Sequence, residues 1–281
     1  MMLLQANGPI ALEHTLGSGQ AFRWRRDGDS WVGVVEGVVY RVRQEAPQAI
    51  AFTCGPLGEP AAAPLLTSYL RLEDDLPALY RRLRGDRRLG AAMRQYEGLR
   101  LVRQAPWECL VTFVISAYSN IPRITRHVED LAQTFGDTLQ FAGETHHRFP
   151  SPAQLVETGE PWFREHGFGY RARYLSRLPA LVMPLGDLTA LRRASFQDAR
   201  SVMLALPGVG EKVADCVLAF SLDQGEAFPV DVHVRRAVQV WYGKGEERSD
   251  RWVREWAYEH FGPDAAYAQQ YLFHHQRQSG R

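Results

Sequence analysis

Lys212 stands where a cation is disfavoured. It follows LPGVGE (206–211) and falls in the first turn of a predicted helix over 211–222, where the helix dipole opposes positive charge by a few tenths to ~1 kcal/mol. Of the 33 Lys plus Arg in the chain, only Lys212 and Lys244 are lysines. Arginine cannot be deprotonated and lysine can, so this placement points to amine chemistry, with the side chain as nucleophile. Cys216 comes four residues later and shares the helix face of Lys212. A thiol beside an ammonium is expected to have a lowered pKa. Asp231 follows Pro229 and precedes VHVRRAVQVWYG, which makes it an N-cap for a third helix. Taken singly, the three also fit a solvated lysine, a small buried hydrophobe and an ordinary cap.

These residues need elements to hold them. SFQDARSVMLAL (195–206) has helical apolar spacing through Phe196, Val202, Met203 and Leu206. Pro207, Gly208 and Gly210 then force a tight turn. The second helix carries Val213, Cys216, Val217 and Phe220 at spacings of three and four. Helix, glycine hairpin, helix presents backbone N–H groups at a helix N-terminus, suited to a phosphate oxygen and indifferent to base sequence.

Ahead of this core, AFRWRR, SWVGVVE, VVYRVRQ and AIAFTC read as strands of a meander, with turns at Asp27-Gly28 and Glu36-Gly37. Gly19 sits just before the first of them. GPLGEPAAAP (55–64) reads as a linker, and short helices follow. From about Gly98 the pattern is helical to the end. PWECLVTFVISA and the helix opened by Ile121-Pro122 flank Tyr118-Ser119-Asn120, a junction from which a side chain could enter a duplex. GYRARY (169–174) interleaves arginine with tyrosine, which fits phosphate contact with base stacking and equally fits a surface helix. Gln269 and Phe273, four apart, share a face of the last helix. The fold class is therefore α+β, an N-terminal antiparallel β domain with short helices (1–98) and a helical core (99–281) containing the hairpin at 195–222 and the Asp231 loop.

Composition is ordinary for a globular chain, with 45% hydrophobic and 23% charged residues. A net charge of +1 does not announce a nucleic-acid binder, so bound DNA would require positive charge gathered on one face. Three scattered cysteines give neither a disulfide framework nor a four-cysteine metal site, and fit a reducing cytoplasm. MMLLQANGPIALEHT lacks the pattern of a signal peptide, and no apolar run approaches a membrane span.

LPGVGEK followed about twenty residues later by PVDVH resembles the helix-hairpin-helix DNA glycosylase superfamily. Within it the chain is most similar to the 8-oxoguanine DNA glycosylase/lyase family. The likeness runs in family order through SGQAFRW, RQAPWECL, NIPRIT, GYRARY, KVADC and YAQQYLF. It implies a β domain resembling the TATA-binding protein, packed on the helical core, and excision of 8-oxoguanine from double-stranded DNA. Lys212 would attack C1′, Asp231 would stabilise the cationic sugar, and a Schiff base would lead to strand cleavage. Cys216 and Phe273 would sandwich the flipped base, Gln269 would read its Watson–Crick edge, and the Gly19 carbonyl would accept the N7–H that guanine lacks. Tyr118, Asn120, Arg123, Arg171, Gly208, Gly210 and His233 would contact DNA, with Arg123 and Arg171 gripping the orphaned cytosine. Eukaryotic-type members carry asparagine in place of Tyr118 and alanine in place of Pro122, so the preference for cytosine is expected to be relaxed. The chemistry needs no cofactor and no metal, although the hairpin carbonyls around Leu206 and Val209 could hold a monovalent or calcium ion. A monomer is expected, in the cytoplasm or, in a eukaryote, the nucleus. Other readings are a related glycosylase for other oxidised or alkylated bases, and a non-catalytic hairpin module.

Overall fold

Five strands form one antiparallel sheet in the computed structural model, which describes residues 1–243 and 245–279. They are β1 (Met2–Gln5), β2 (Trp24–Asp27), β3 (Ser30–Val35), β4 (Val38–Ala46) and β5 (Ala49–Gly55), in the order β1-β5-β4-β3-β2. The β3–β4 turn has only Glu36 and Gly37 between paired Val35 and Val38, both at positive φ (48° and 81°), the two-residue geometry that matches strand twist. β1 was not among the strands expected from the pattern. Its four residues alternate half-buried and exposed as an edge beside β5, too short a run to stand out.

The expected linker at 55–64 is partly helix, because Glu59–Tyr69 begins inside it, with Pro60 tolerated in the first turn. Leu66 and Tyr69 of this helix join Tyr40, Ile50 and Phe52 in the core beneath the sheet. The expectation of helix from Gly98 onward also needs correction. Thr138–Phe141 and Glu144–His147 form a second hairpin, turning at Ala142 and Gly143 with φ of 53° and 81°. Leu139 packs on Val32, Val34 and Val39, which explains why β3 is buried on both faces and lacks clean alternation.

The helical core centres on Pro106–Ser116, buried from Cys109 through Ile115 and packed on Glu211–Ser221. Ile121–Phe135 and the hairpin's first helix, Phe196–Leu204, complete this layer. A second layer joins Leu76–Leu83 and Arg87–Gln95 to Val232–Trp241, Asp250–Phe261 and Ala265–Ser279, so packing crosses residue 98. Arg100, fully buried, ties the parts together by donating to the carbonyls of Asn7 (2.9 Å), Pro9 (3.1 Å) and Asp74 (3.1 Å) and to that of Arg71. A buried guanidinium is tolerated only when its donors are satisfied in this way. Among the described residues no helix is long and apolar enough to cross a membrane.

Candidate active site and nucleic-acid interface

The hairpin forms as its glycines require. Gly208 has φ +79°, and a Cβ there would come within 2.8 Å of Tyr174 Cβ, so both backbone and packing exclude a side chain. Gly210 is the N-cap of Glu211–Ser221 and supplies no side-chain cap, which leaves the first-turn N–H groups to an outside acceptor. The Leu206 carbonyl accepts the Val209 N–H at 3.2 Å and keeps a second lone pair. Such carbonyls are hard donors of the type that suits a monovalent or calcium ion.

Lys212 is half-buried in that first turn. Its Nζ donates to Ser116 Oγ at 3.3 Å and lies 5.0 Å from the centre of the Phe113 ring. Ser116 ends its helix two residues before Tyr118, so the amine sits at the base of the junction turn. Tyr118 is 97% exposed and held at φ +48°, a left-handed conformation costly for a bulky residue. Arg171 is the reason it stays there. Its buried guanidinium donates through Nε to the Ala117 carbonyl (2.9 Å) and through Nη2 to the carbonyls of Ala117 and Tyr118 (3.0 Å to the latter). Its neighbour Tyr170 is 45% exposed beneath the same turn, with its ring 4.7 Å from the Arg171 guanidinium carbon.

Asn120 caps Ile121–Phe135 by accepting the Arg123 N–H at 3.0 Å, and the exposed Arg123 donates to the Gly167 carbonyl at 2.8 Å. Of the two arginines expected to grip a cytosine, Arg123 is thus at the surface, while Arg171 is occupied under the turn.

Asp231 caps Val232–Trp241, with Oδ1 accepting from His233 N (2.9 Å) and Val234 N (2.8 Å); the cap does not use Oδ2. Cys216 is 2% exposed, and burial raises its thiol to about 12. The Lys212 ammonium opposes that rise while Asp215 and Asp231 add to it. The expected lowering of the thiol pKa is therefore overturned, because desolvation outweighs the single cation. Cys216 is a neutral, polarisable packing surface.

His233 is exposed, its ring 6.0 Å from that of Phe273 at 79°. Gly19 has φ +83°, and a Cβ there would lie 3.6 Å from Phe273 Cε1 and 3.2 Å from Ile121 Cδ1. Gln269, 4% exposed, donates from Nε2 to the Pro229 carbonyl at 3.1 Å, while its Oε1 has no hydrogen-bond partner in the structure. A buried acceptor left unpaired costs about 1–3 kcal/mol, recoverable by a ligand that donates to it. The N–H groups on a purine's Watson–Crick edge are such donors.

Lys212 meets Ser116, two residues before the Tyr118 turn that Arg171 holds, while Gly19 lies beside Phe273, whose ring faces His233 next to Asp231. Sequence reasoning missed Ser116, Phe113 and the Pro229 carbonyl, none of which has a distinctive type or spacing. It also missed Gln20. Fully buried, Gln20 pins the Gly19 segment by donating to Thr15 O (2.9 Å) and Arg100 O (2.8 Å) and accepting from Val102 N (2.9 Å).

A glycine hairpin leading into a lysine helix, followed by an aspartate-capped helix, defines the class. Residues 111–261 match the HhH-GPD superfamily of base excision DNA repair proteins. Residues 2–110 match the N-terminal domain of 8-oxoguanine DNA glycosylase, and the chain belongs to that family. It is 37% identical over 235 residues to an N-glycosylase/DNA lyase of Arabidopsis thaliana, a match spanning 80% of this chain and 64% of that relative. It is 32% identical over 259 residues to an N-glycosylase/DNA lyase of Saccharomyces cerevisiae, spanning 83% and 68% of the two chains. The fold superposes on the Clostridium acetobutylicum 8-oxoguanine glycosylase/lyase, solved with double-stranded DNA containing cytosine opposite 8-oxoguanine, with a TM-score of 0.90, 27% identity and coverage of 100% and 99%.

Proposed function

We propose that this protein, acting as a monomer, flips 8-oxoguanine out of duplex DNA, excises it and cleaves the strand through Lys212. The placement of Lys212 carries the reading: a half-buried lysine amine held by Ser116 at the foot of the turn that exposes Tyr118. Family membership supports it, as does the unpaired Gln269 acceptor.

Extrusion of the nucleotide costs a few kcal/mol, which Tyr118 offsets by stacking in the gap. The unprotonated amine attacks C1′. The N–C1′ bond forms as the C1′–N9 bond breaks, and the base leaves with a proton. Asp231 stabilises the positive charge that develops on the sugar. Opening of the C1′–O4′ bond gives the protonated Schiff base, and loss of a C2′ proton then expels the 3′ phosphate. Gly19 distinguishes the lesion from guanine by one hydrogen bond, since guanine presents an acceptor at N7 where 8-oxoguanine presents N–H. This chemistry uses no cofactor; an ion on the Leu206 and Val209 carbonyls would serve phosphate binding.

Borohydride trapping on a duplex with 8-oxoguanine opposite cytosine tests the reading. A covalent protein–DNA band from the parent, absent from Lys212→Gln, is expected. Free base released without a trapped band would remove Lys212 as nucleophile. Binding without any release would make the hairpin a non-catalytic module.

A further inference from the structure

The helix Ala265–Ser279 carries two stripes side by side. Gln269 and Phe273 form the stripe assigned to the base. Gln270, His274 and Arg277, spaced by four and three, form the next one. Gln270 and Arg277 reach the loop that bears Gly19, and His274 reaches the short helix Leu12–Leu16 that leads into it. Gln270 Nε2 donates to the Ser18 carbonyl at 3.5 Å, His274 Nε2 lies 3.3 Å from His14 Nδ1, and Arg277 Nη1 donates to the Gly17 carbonyl at 3.3 Å. Arg277 Nη1 would also lie 3.1 Å from a Cβ at Gly19, so its guanidinium rests against the residue itself. Gln270 and His274 are buried. The edge of Tyr96 closes over the two histidine rings, with centroids 4.6 Å from His274 and 5.2 Å from His14.

Gln20, the next residue in the chain after Gly19, ties the same segment down by donating to the carbonyls of Thr15 and of the buried Arg100. A loop with glycines at 17 and 19 has little stiffness of its own. Yet a test for the lesion that consists of one hydrogen bond demands stiffness, because such bonds weaken steeply with length and angle. Stacking on Phe273 would survive a shift of the loop; discrimination would not.

We propose that Gln270, His274 and Arg277 are positioning residues that hold the Gly19 carbonyl in register with the Gln269–Phe273 face, so that one helix both stacks the base and indexes the group that tests it. The inference rests on the reading of this site as an 8-oxoguanine pocket. It differs from a merely structural role in what it spares, since cleavage of a preformed abasic site involves no base and does not need the Gly19 carbonyl.

The experiment compares single-turnover excision of 8-oxoguanine, excision of guanine, and cleavage of a preformed abasic site opposite cytosine, in the parent, Arg277→Ala, His274→Leu and His274→Gln. Arg277→Ala alters a partly exposed residue near the helix end and guards against misfolding of the buried variant. For Arg277→Ala and His274→Leu, abasic cleavage should stay within about twofold, while 8-oxoguanine excision falls about tenfold, the scale of one lost hydrogen bond, and the 8-oxoguanine-to-guanine ratio falls with it. His274→Gln, whose amide nitrogen reaches the height of Nε2, should recover most of the loss. Equal loss in all three assays, or no loss of discrimination, would overturn the proposal while leaving the pocket reading intact. A parent that cleaves abasic sites without excising 8-oxoguanine would refute the pocket reading, and the proposal with it.

Discussion

Replacing Tyr118 by asparagine should make the protein more stable and less active. Tyr118 is held at φ +48° with 97% of its surface exposed, so its ring contributes almost no burial to the folded state. Asparagine is several-fold more common than bulky residues in this left-handed region, which corresponds to roughly 0.5–1 kcal/mol of relieved strain. The Arg171 bonds are to backbone carbonyls of residues 117 and 118 and survive the change. The expected gain is about 1–3 °C in Tm for a chain of this size. The functional term has the opposite sign. A stacked aromatic is worth about 1–3 kcal/mol per base, so excision of 8-oxoguanine opposite cytosine should fall roughly 5- to 150-fold in kcat/KM. Urea denaturation with single-turnover kinetics on one duplex reads both quantities. A destabilised variant would show that the ring supports the fold, and an unchanged excision rate would show that Tyr118 is not the wedge. Either result refutes the reasoning.

Gly208→Ala should lower Tm and weaken DNA binding together, because it adds about 1–2 kcal/mol of left-handed strain and sets a Cβ 2.8 Å from Tyr174; unchanged filter-binding affinity would detach the hairpin from DNA. Asp231→Asn keeps a cap of equal quality, so stability should change by less than about 0.5 kcal/mol while excision falls about 100-fold or more, measured by denaturation and single-turnover assay. His127 and His274 are each held down to about 4, chiefly by burial, with Arg126 and Arg123 adding to the effect at His127 and His14 and Arg277 at His274. The unfolded chain therefore takes up two protons between pH 6.5 and 4 that the folded chain refuses, and this contribution to stability is lost as pH falls through that window. Asp215, raised to about 7 by burial, has the opposite sign. The clean readout is consequently the difference between the parent and His127→Phe, which keeps the stack on Phe168; it should shrink with falling pH in urea titrations at pH 7, 6 and 5. Excision opposite cytosine and adenine should differ if Arg123 and Arg171 discriminate the partner base, and equal rates would exclude that role.

The hairpin, the lysine helix and the Asp231 cap were legible in the sequence because each depends on local rules. Apolar spacing sets the helices, glycine permits the turn, and a carboxylate three residues ahead of a free N–H makes a cap. The second hairpin at 138–147 was hidden because its strands are four residues long and depend on Leu139 finding Val32, Val34 and Val39 across the chain. The state of Cys216 was misread for a related reason. Sequence spacing showed the ammonium beside it but not the depth of burial, which decides the sign.

Sequence alone thus determined which groups could do the chemistry and which elements carry them, since residue type and helical period are local properties. Only the tertiary structure decided what each group meets. It placed Ser116 under the Lys212 amine, left Gln269 Oε1 unpaired, turned Arg171 inward to hold the Tyr118 turn, and brought the stripe of Gln270, His274 and Arg277 against residues 14–18, some 250 residues away in the chain. Those outcomes depend on long-range burial and on competition for hydrogen bonds, which no local window of sequence contains.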